Sequence, residues 1–148
     1  MTTLEERLQR LEDRDAIHQL FIDYGRFLDA GDLDAYASLF AENGEVMLGP
    51  IGRATGRDNI RELMGKILSG RIGSAYHIIS SPTVTLAGDE ASSEVMWTVI
   101  QRDTQGKPYL SSMGRHVDRL VREDGSWKIA QRRGLIDLPQ RLAPQGEK

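Results

Sequence analysis

The side chain whose proton is mobile near neutral pH is histidine, and the sequence has three, His18, His77 and His116. His77 opens an apolar stretch and is followed by Ile78 and Ile79. It reads either as a satisfied core or rim residue or as a proton acceptor. Asp29 stands just before Gly31 at the end of a helical pattern, where an acid opposes the helix dipole at a cost of about 0.3–1 kcal/mol. It reads either as a solvated carboxylate or as one at the mouth of a pocket. A carboxylate beside His77 would fix the tautomer of the ring, and such a pair is a general base for a carbon-bound or hydroxyl proton. His116 lies mid-strand and shares a face with Gly114 and Asp118. Tyr24 can donate a hydrogen bond into a pocket or serve as plain core. Arg132 and Arg133 are neighbours on a strand and point to opposite faces, so one of the two can enter a pocket. Trp97, Met96, Met113 and Tyr109 are candidate wall residues, with core packing as the alternative.

Other chemistries find no motif. There is no P-loop, GxGxxG, nucleophile elbow, HExxH or EF-hand loop, and with no cysteine there is no disulfide and no thiol catalysis. The three histidines are not spaced as a local metal site. No metal and no cofactor are expected.

The elements that must position these residues follow from periodicity. Leu4, Leu8 and Leu11, then Ile17, Leu20, Phe21, Tyr24 and Leu28, repeat with the helical period of a buried face. Five charges in the six positions Arg10–Asp15 are the place for a bend. Gly31 stops this helix. Asp32 caps a short second helix through Phe40. A strand is predicted at Glu45–Leu48, followed by glycine-rich turns, and a third helix from Asp58 to about Leu68. Four strands follow, over Tyr76–Leu86, Ala91–Gln101, Tyr109–Val121 and Trp127–Ile136. The last two are joined by the Asp124-Gly125 hairpin turn. Helices grouped before strands argue for an α+β domain rather than βαβ units. The expected fold is a cone-shaped, curved, mixed but mostly antiparallel sheet wrapped on three N-terminal helices and enclosing one pocket. The domain is expected over 1–138, with a flexible polar tail over 139–148.

With 148 residues, 39% hydrophobic and 28% charged, the chain has the size and composition of one soluble domain. A net charge of −3 gives no electrostatic reason to bind nucleic acid or an anionic membrane. The charged N-terminus is unlike a signal peptide, and no apolar run approaches the roughly 20 residues of a membrane span. A cytoplasmic location is expected.

Three stretches carry a resemblance: Phe27–Asp34 (FLDAGDLD), Gly56–Ile60 (GRDNI) and Arg119–Ile129 (RLVREDGSWKI). With them the chain resembles the SnoaL-like group of the nuclear transport factor 2-like superfamily from about Leu11 to Ile136. Within it the sequence looks like scytalone dehydratase, the bile-acid dehydratases and hexachlorocyclohexane dehydrochlorinase. That resemblance implies a cofactor-independent lyase or isomerase acting on a small hydrophobic cyclic or aromatic molecule. It implies a dyad of Asp29 and His77 as the base. Tyr24, His116 or Arg132 would then steady negative charge or protonate a leaving group, with Trp97, Met113 and Tyr109 at the substrate. The chain departs from the dehydrochlorinase in having Tyr24 where that enzyme has lysine. It departs from scytalone dehydratase in having Leu28 where that enzyme has tyrosine. The base is kept and the leaving-group machinery differs. A non-catalytic binder, a structural subunit like the small subunit of ring-hydroxylating dioxygenases, and epoxide hydrolysis using Asp118 with Arg132 are the rivals. The resemblance also implies self-association as a trimer or dimer through the outer faces of the sheets, and the amphipathic segment Leu4–Leu11 could cover a neighbour.

Overall fold

The structure, a computed structural model, describes residues 1–139. Apart from Pro139, the expected tail lies outside the described residues. Helix α1 runs over Leu4–Ala30. Its first turn is closed by a capping box, in which Glu6 N–H donates to Thr3 Oγ1 at 3.1 Å and Thr3 N–H donates to Glu6 Oε2 at 2.7 Å. Gly31 ends it with φ +71°, and its N–H donates to Leu28 O. Asp32 then caps α2, Leu33–Ser38, accepting from Ala35 N–H at 3.1 Å.

Two expectations for α1 need correction. The charged segment Arg10–Asp15 holds no bend, because Asp13 turns inward and finds partners for its Oδ1. It accepts from Trp127 Nε1 at 3.0 Å, Arg122 Nη2 at 2.8 Å and Gln9 Nε2 at 3.1 Å. These bonds hold its carboxyl below the usual range against the opposing effect of burial. Nor do the two leucine-rich stripes share a buried face. Ile17, Phe21, Tyr24 and Leu28 are buried, whereas Leu4, Leu8 and Leu11 are 78%, 54% and 65% exposed. At 3.6 residues per turn the second stripe lies on the side of Asp13, and Leu4, Leu8 and Leu11 lie roughly opposite.

Strand β1, Phe40–Met47, is followed by a short 3-10 turn at Gly49–Ile51 and by β2, Arg53–Thr55. The three-residue β2 sits where the sequence predicted only turns. Helix α3 spans Arg57–Leu68. The long strands are β3 Ala75–Ala87, β4 Glu90–Arg102, β5 Pro108–Glu123 and β6 Ser126–Leu138. The six form one sheet in the order β2-β1-β6-β5-β4-β3, with β1 parallel to β6 and the other pairs antiparallel. Register shifts interrupt β3 against β4 between Ser80 and Thr83, and β5 against β6 between Met113 and Gly114. Such irregularities bend strands. The sheet curves over the helices as an open cone and does not close into a barrel.

Gly114 shows how tightly the wall is built. A Cβ there would meet Trp97 Cζ2 at 2.6 Å and would overlap the Leu135 carbonyl. We predict that Gly114→Ala costs about 1–3 kcal/mol through overpacking. Urea denaturation checks this, and an unchanged midpoint would refute it.

Candidate active site

Asp29 occupies the last turn of α1, and His77 the third position of β3. Their meeting depends on how closely the helix lies on the strand. At Gly25, one turn earlier, an added Cβ would stand 3.1 Å from Ile79 Cγ1 and 3.4 Å from His77 O. A larger residue would push helix and strand apart. With glycine there, Asp29 reaches β3 and accepts three hydrogen-bonding contacts from one residue. His77 Nδ1 lies 2.7 Å from Asp29 Oδ1, and the His77 backbone N–H is shared between Oδ1 and Oδ2 at 3.1 Å each. These bonds compensate a carboxylate placed at the negative end of the helix dipole. They also assign the tautomer. An ionised carboxylate only accepts, so in the neutral ring Nδ1 carries the hydrogen and Nε2 the lone pair.

The His77 ring lines a cavity of about 200 Å3. Its other walls are Tyr24 and Leu28 from α1, Leu48 and Ile51 from the turn after β1, and Met64, Ile67 and Leu68 from α3. The sheet contributes Trp97, Val99, Ser112, His116, Gly134 and Ile136. Among the described residues no Asp, Glu, Lys or Arg lines it.

Of the residues singled out in the sequence, Tyr24, His77, Trp97 and His116 line this cavity, with Asp29 bound behind His77. Arg132, Met113 and Tyr109 do not line it. Tyr109 is 46% exposed, and its hydroxyl donates to Gln101 Oε1 at 3.0 Å. Met113 pairs with Thr98 on β4 and Leu138 on β6, one residue from the inward-facing Gly114 and therefore on the other side of the sheet. Arg132 is the one of the two arginines that turns inward, but it ends in an ion pair. Its Nε donates to Asp118 Oδ1 at 2.8 Å and its Nη2 to Oδ2 at 2.7 Å, with both side chains fully buried. Burial lowers the guanidinium pKa, and the Asp118 carboxylate overrides this and holds it above its ordinary value. The Arg132 Cζ lies 4.2 Å from the Tyr24 ring centroid, so the pair supports the back of a cavity residue. His18 is on the exposed side of α1, and among the described residues no three His, Asp or Glu side chains are grouped to hold a metal ion.

His116 is buried, and that burial pushes its imidazole well below the ordinary value of 6.5, with the charge of Arg132 and His77 acting in the same direction. It is neutral in the folded protein. Its Nδ1 and the Trp97 Nε1 are buried without a hydrogen-bond partner among the described residues. The unfolded chain binds a proton at His116 that the folded one does not, so this residue contributes stability that is present above pH 6.5 and lost as the pH falls below it. We predict that His116→Phe reduces the slope of stability against pH, by up to about 1.4 kcal/mol per pH unit below that value. Denaturant titrations at several pH values check this, and parallel curves for the two proteins would contradict it.

Nothing in the sequence pointed to the contribution of α3, Leu48 and Ser112 to the cavity. Apolar residues at helical spacing look the same whether they face a solid core or a cavity.

A helix-backed, open, curved sheet around an apolar cavity, with a histidine–aspartate pair at its wall, defines an NTF2-like protein with a cystatin-like fold. Residues 9–133 match the SnoaL-like domain, and the chain belongs to that family. An NTF2-like protein with a cystatin-like fold from Novosphingobium aromaticivorans is 27% identical, with a TM-score of 0.86 over 98% of this chain and 96% of that one. A protein from the same organism described as a scytalone dehydratase is 28% identical, with a TM-score of 0.73 over 86% and 85% of the two chains. LinA shares the fold at 21% identity, with a TM-score of 0.79 over 88% and 90%. No curated protein sequence matches the chain significantly. Among the described residues no helix is long and apolar enough to cross a membrane.

Proposed function

We propose that the chain is a cofactor-independent lyase or isomerase whose base is His77, held by Asp29. The observation that carries this reading is the 2.7 Å contact between His77 Nδ1 and Asp29 Oδ1 at the wall of an apolar cavity. Nε2 takes a proton from a carbon or hydroxyl of the bound molecule, and the Asp29 carboxylate carries the countercharge to the imidazolium that forms. The negative charge left on the molecule is met by Tyr24 and by neutral His116. Loss of a leaving group completes an elimination, and return of the proton to another atom completes an isomerisation.

The cavity also describes the ligand. An apolar space of 150 Å3 accepts benzene, so about 200 Å3 suits one substituted ring or a compact bicycle. Among the described residues no charged side chain lines the cavity, and Arg132 is neutralised by Asp118. A carboxylate or ammonium would lose its hydration without a partner. The ligand is therefore uncharged.

Incubation with uncharged cyclic β-hydroxy and β-halo carbonyl compounds, with products read by chromatography, tests the reading. Turnover of at least one is expected. Tight binding of several probes with none converted would favour a ligand-binding protein instead.

A further inference from the structure

The exposed leucines of α1 belong to a longer pattern. Leu4, Leu8, Leu11, Asp15, His18 and Ile22 are separated by four, three, four, three and four residues, the spacing of a and d positions in a heptad repeat. Every one of them is exposed, and the apolar four are between 45% and 78% exposed. The residues opposite this seam, Asp13 and Leu20, are buried against the rest of the domain. The domain thus lies on one side of α1 and the seam on the other, which leaves room for a partner helix along it.

The flanking charges say which partner fits. With Leu4 and Leu11 at d and Leu8 at a, Glu5 and Glu12 take e positions, and Arg7 and Arg14 take g positions. In a parallel pair, a g residue meets the partner's e residue five positions on. A second copy of this chain would place Arg7 against the partner's Glu12, and the two-fold axis repeats that contact. An antiparallel copy brings g against g and e against e, and forfeits both. Asp15 takes an a position, where a parallel copy brings two carboxylates face to face at a cost in affinity, so the pairing rests on the three leucines before it.

We infer that the outer face of α1 is a self-association surface, on which two copies pair in parallel through Leu4, Leu8 and Leu11 with Arg7–Glu12 contacts on either side. This inference is independent of the proposed chemistry, because none of the seam residues lines the cavity.

Sedimentation equilibrium of the full chain tests it. The unsubstituted protein is expected to be a dimer, and Leu8→Glu with Leu11→Glu a monomer with an unchanged circular dichroism spectrum. Arg7→Glu or Glu12→Arg alone should weaken the dimer roughly tenfold, and the two together should restore it. A monomeric unsubstituted protein would overturn the inference. So would a dimer that survives the leucine substitutions, which would point to another surface such as the exposed Tyr76 and Ile78 of β3. Failure of the charge-swapped pair to recover would overturn the parallel arrangement.

Discussion

Replacing His77 with Gln is expected to lower kcat by about 10²–10⁴-fold, the usual contribution of a positioned general base, while the protein stays folded. His77 is only partly buried, and its ring contributes one wall of the cavity rather than a core contact, so the loss is chemical. Asp29→Asn is the sharper variant. It keeps the size of the side chain, but it replaces an acceptor of three contacts by a group with one carbonyl and one NH2. If the carbonyl stays with the backbone N–H, the NH2 faces Nδ1 and stabilises the tautomer with hydrogen on Nε2, which cannot accept a proton. A wrong-tautomer defect of this kind can reach about 10⁴-fold. Steady-state kinetics on a converted substrate, alongside thermal melts, would measure both. Activity within a factor of a few of the parent in either variant would remove the dyad from the mechanism.

The second large effect is on stability. Removing either member of the Arg132–Asp118 pair is expected to cost about 3–5 kcal/mol, because it leaves the other charge buried without a partner. Both side chains are almost wholly inaccessible, and the geometry is bidentate. Asp118 has one further contact, from the Ser93 hydroxyl at 3.3 Å. Arg132→Met alone and Asp118→Leu alone should each be near the limit of folding, and the double variant should recover much of the loss, since apolar replacement of a whole buried pair is often neutral. Urea denaturation of the three proteins gives the comparison. A single substitution costing under about 1 kcal/mol, or a double variant as unstable as the sum of the singles, would contradict this account of the pair.

That pair also shows where sequence reading stops. An inward arginine on β6 was legible from the alternation of Arg132 and Arg133, and resemblance then assigned Arg132 to chemistry. What the arginine meets is a matter of register. Asp118 stands directly opposite it on β5, and Val46 opposite it on β1. No local pattern in the chain records that cross-strand partner. Met113 lies on the far side of the sheet by simple alternation with Gly114, and which of the two faces lines the cavity is decided by the packing of the helices.

The helices and long strands, by contrast, announced themselves through periodicity, glycine stops and the Asp-Gly hairpin, with ends within a few residues of those seen. Strand β2 escaped because three residues among glycines carry no alternation. The misplaced burial of Leu4, Leu8 and Leu11 arose because a 3.6-residue period identifies a face without saying whether anything covers it. Asp29 and His77 are 48 positions apart. Each had a bland reading of its own, and only the packing of α1 on β3, permitted by Gly25, brings them together.

The most direct test of the central claim follows hydrogen exchange instead of net conversion. A bound, uncharged cyclic ketone with acidic α-hydrogens would be incubated with the protein in D2O and its deuterium content followed by NMR. Removal of a proton by His77 Nε2 and its return from solvent would label the ketone even where no leaving group is present. The account predicts labelling by the parent protein that falls to the uncatalysed rate with His77→Gln and Asp29→Asn. Labelling that persists in both variants, or a ketone that binds in the cavity and is never labelled, would contradict it.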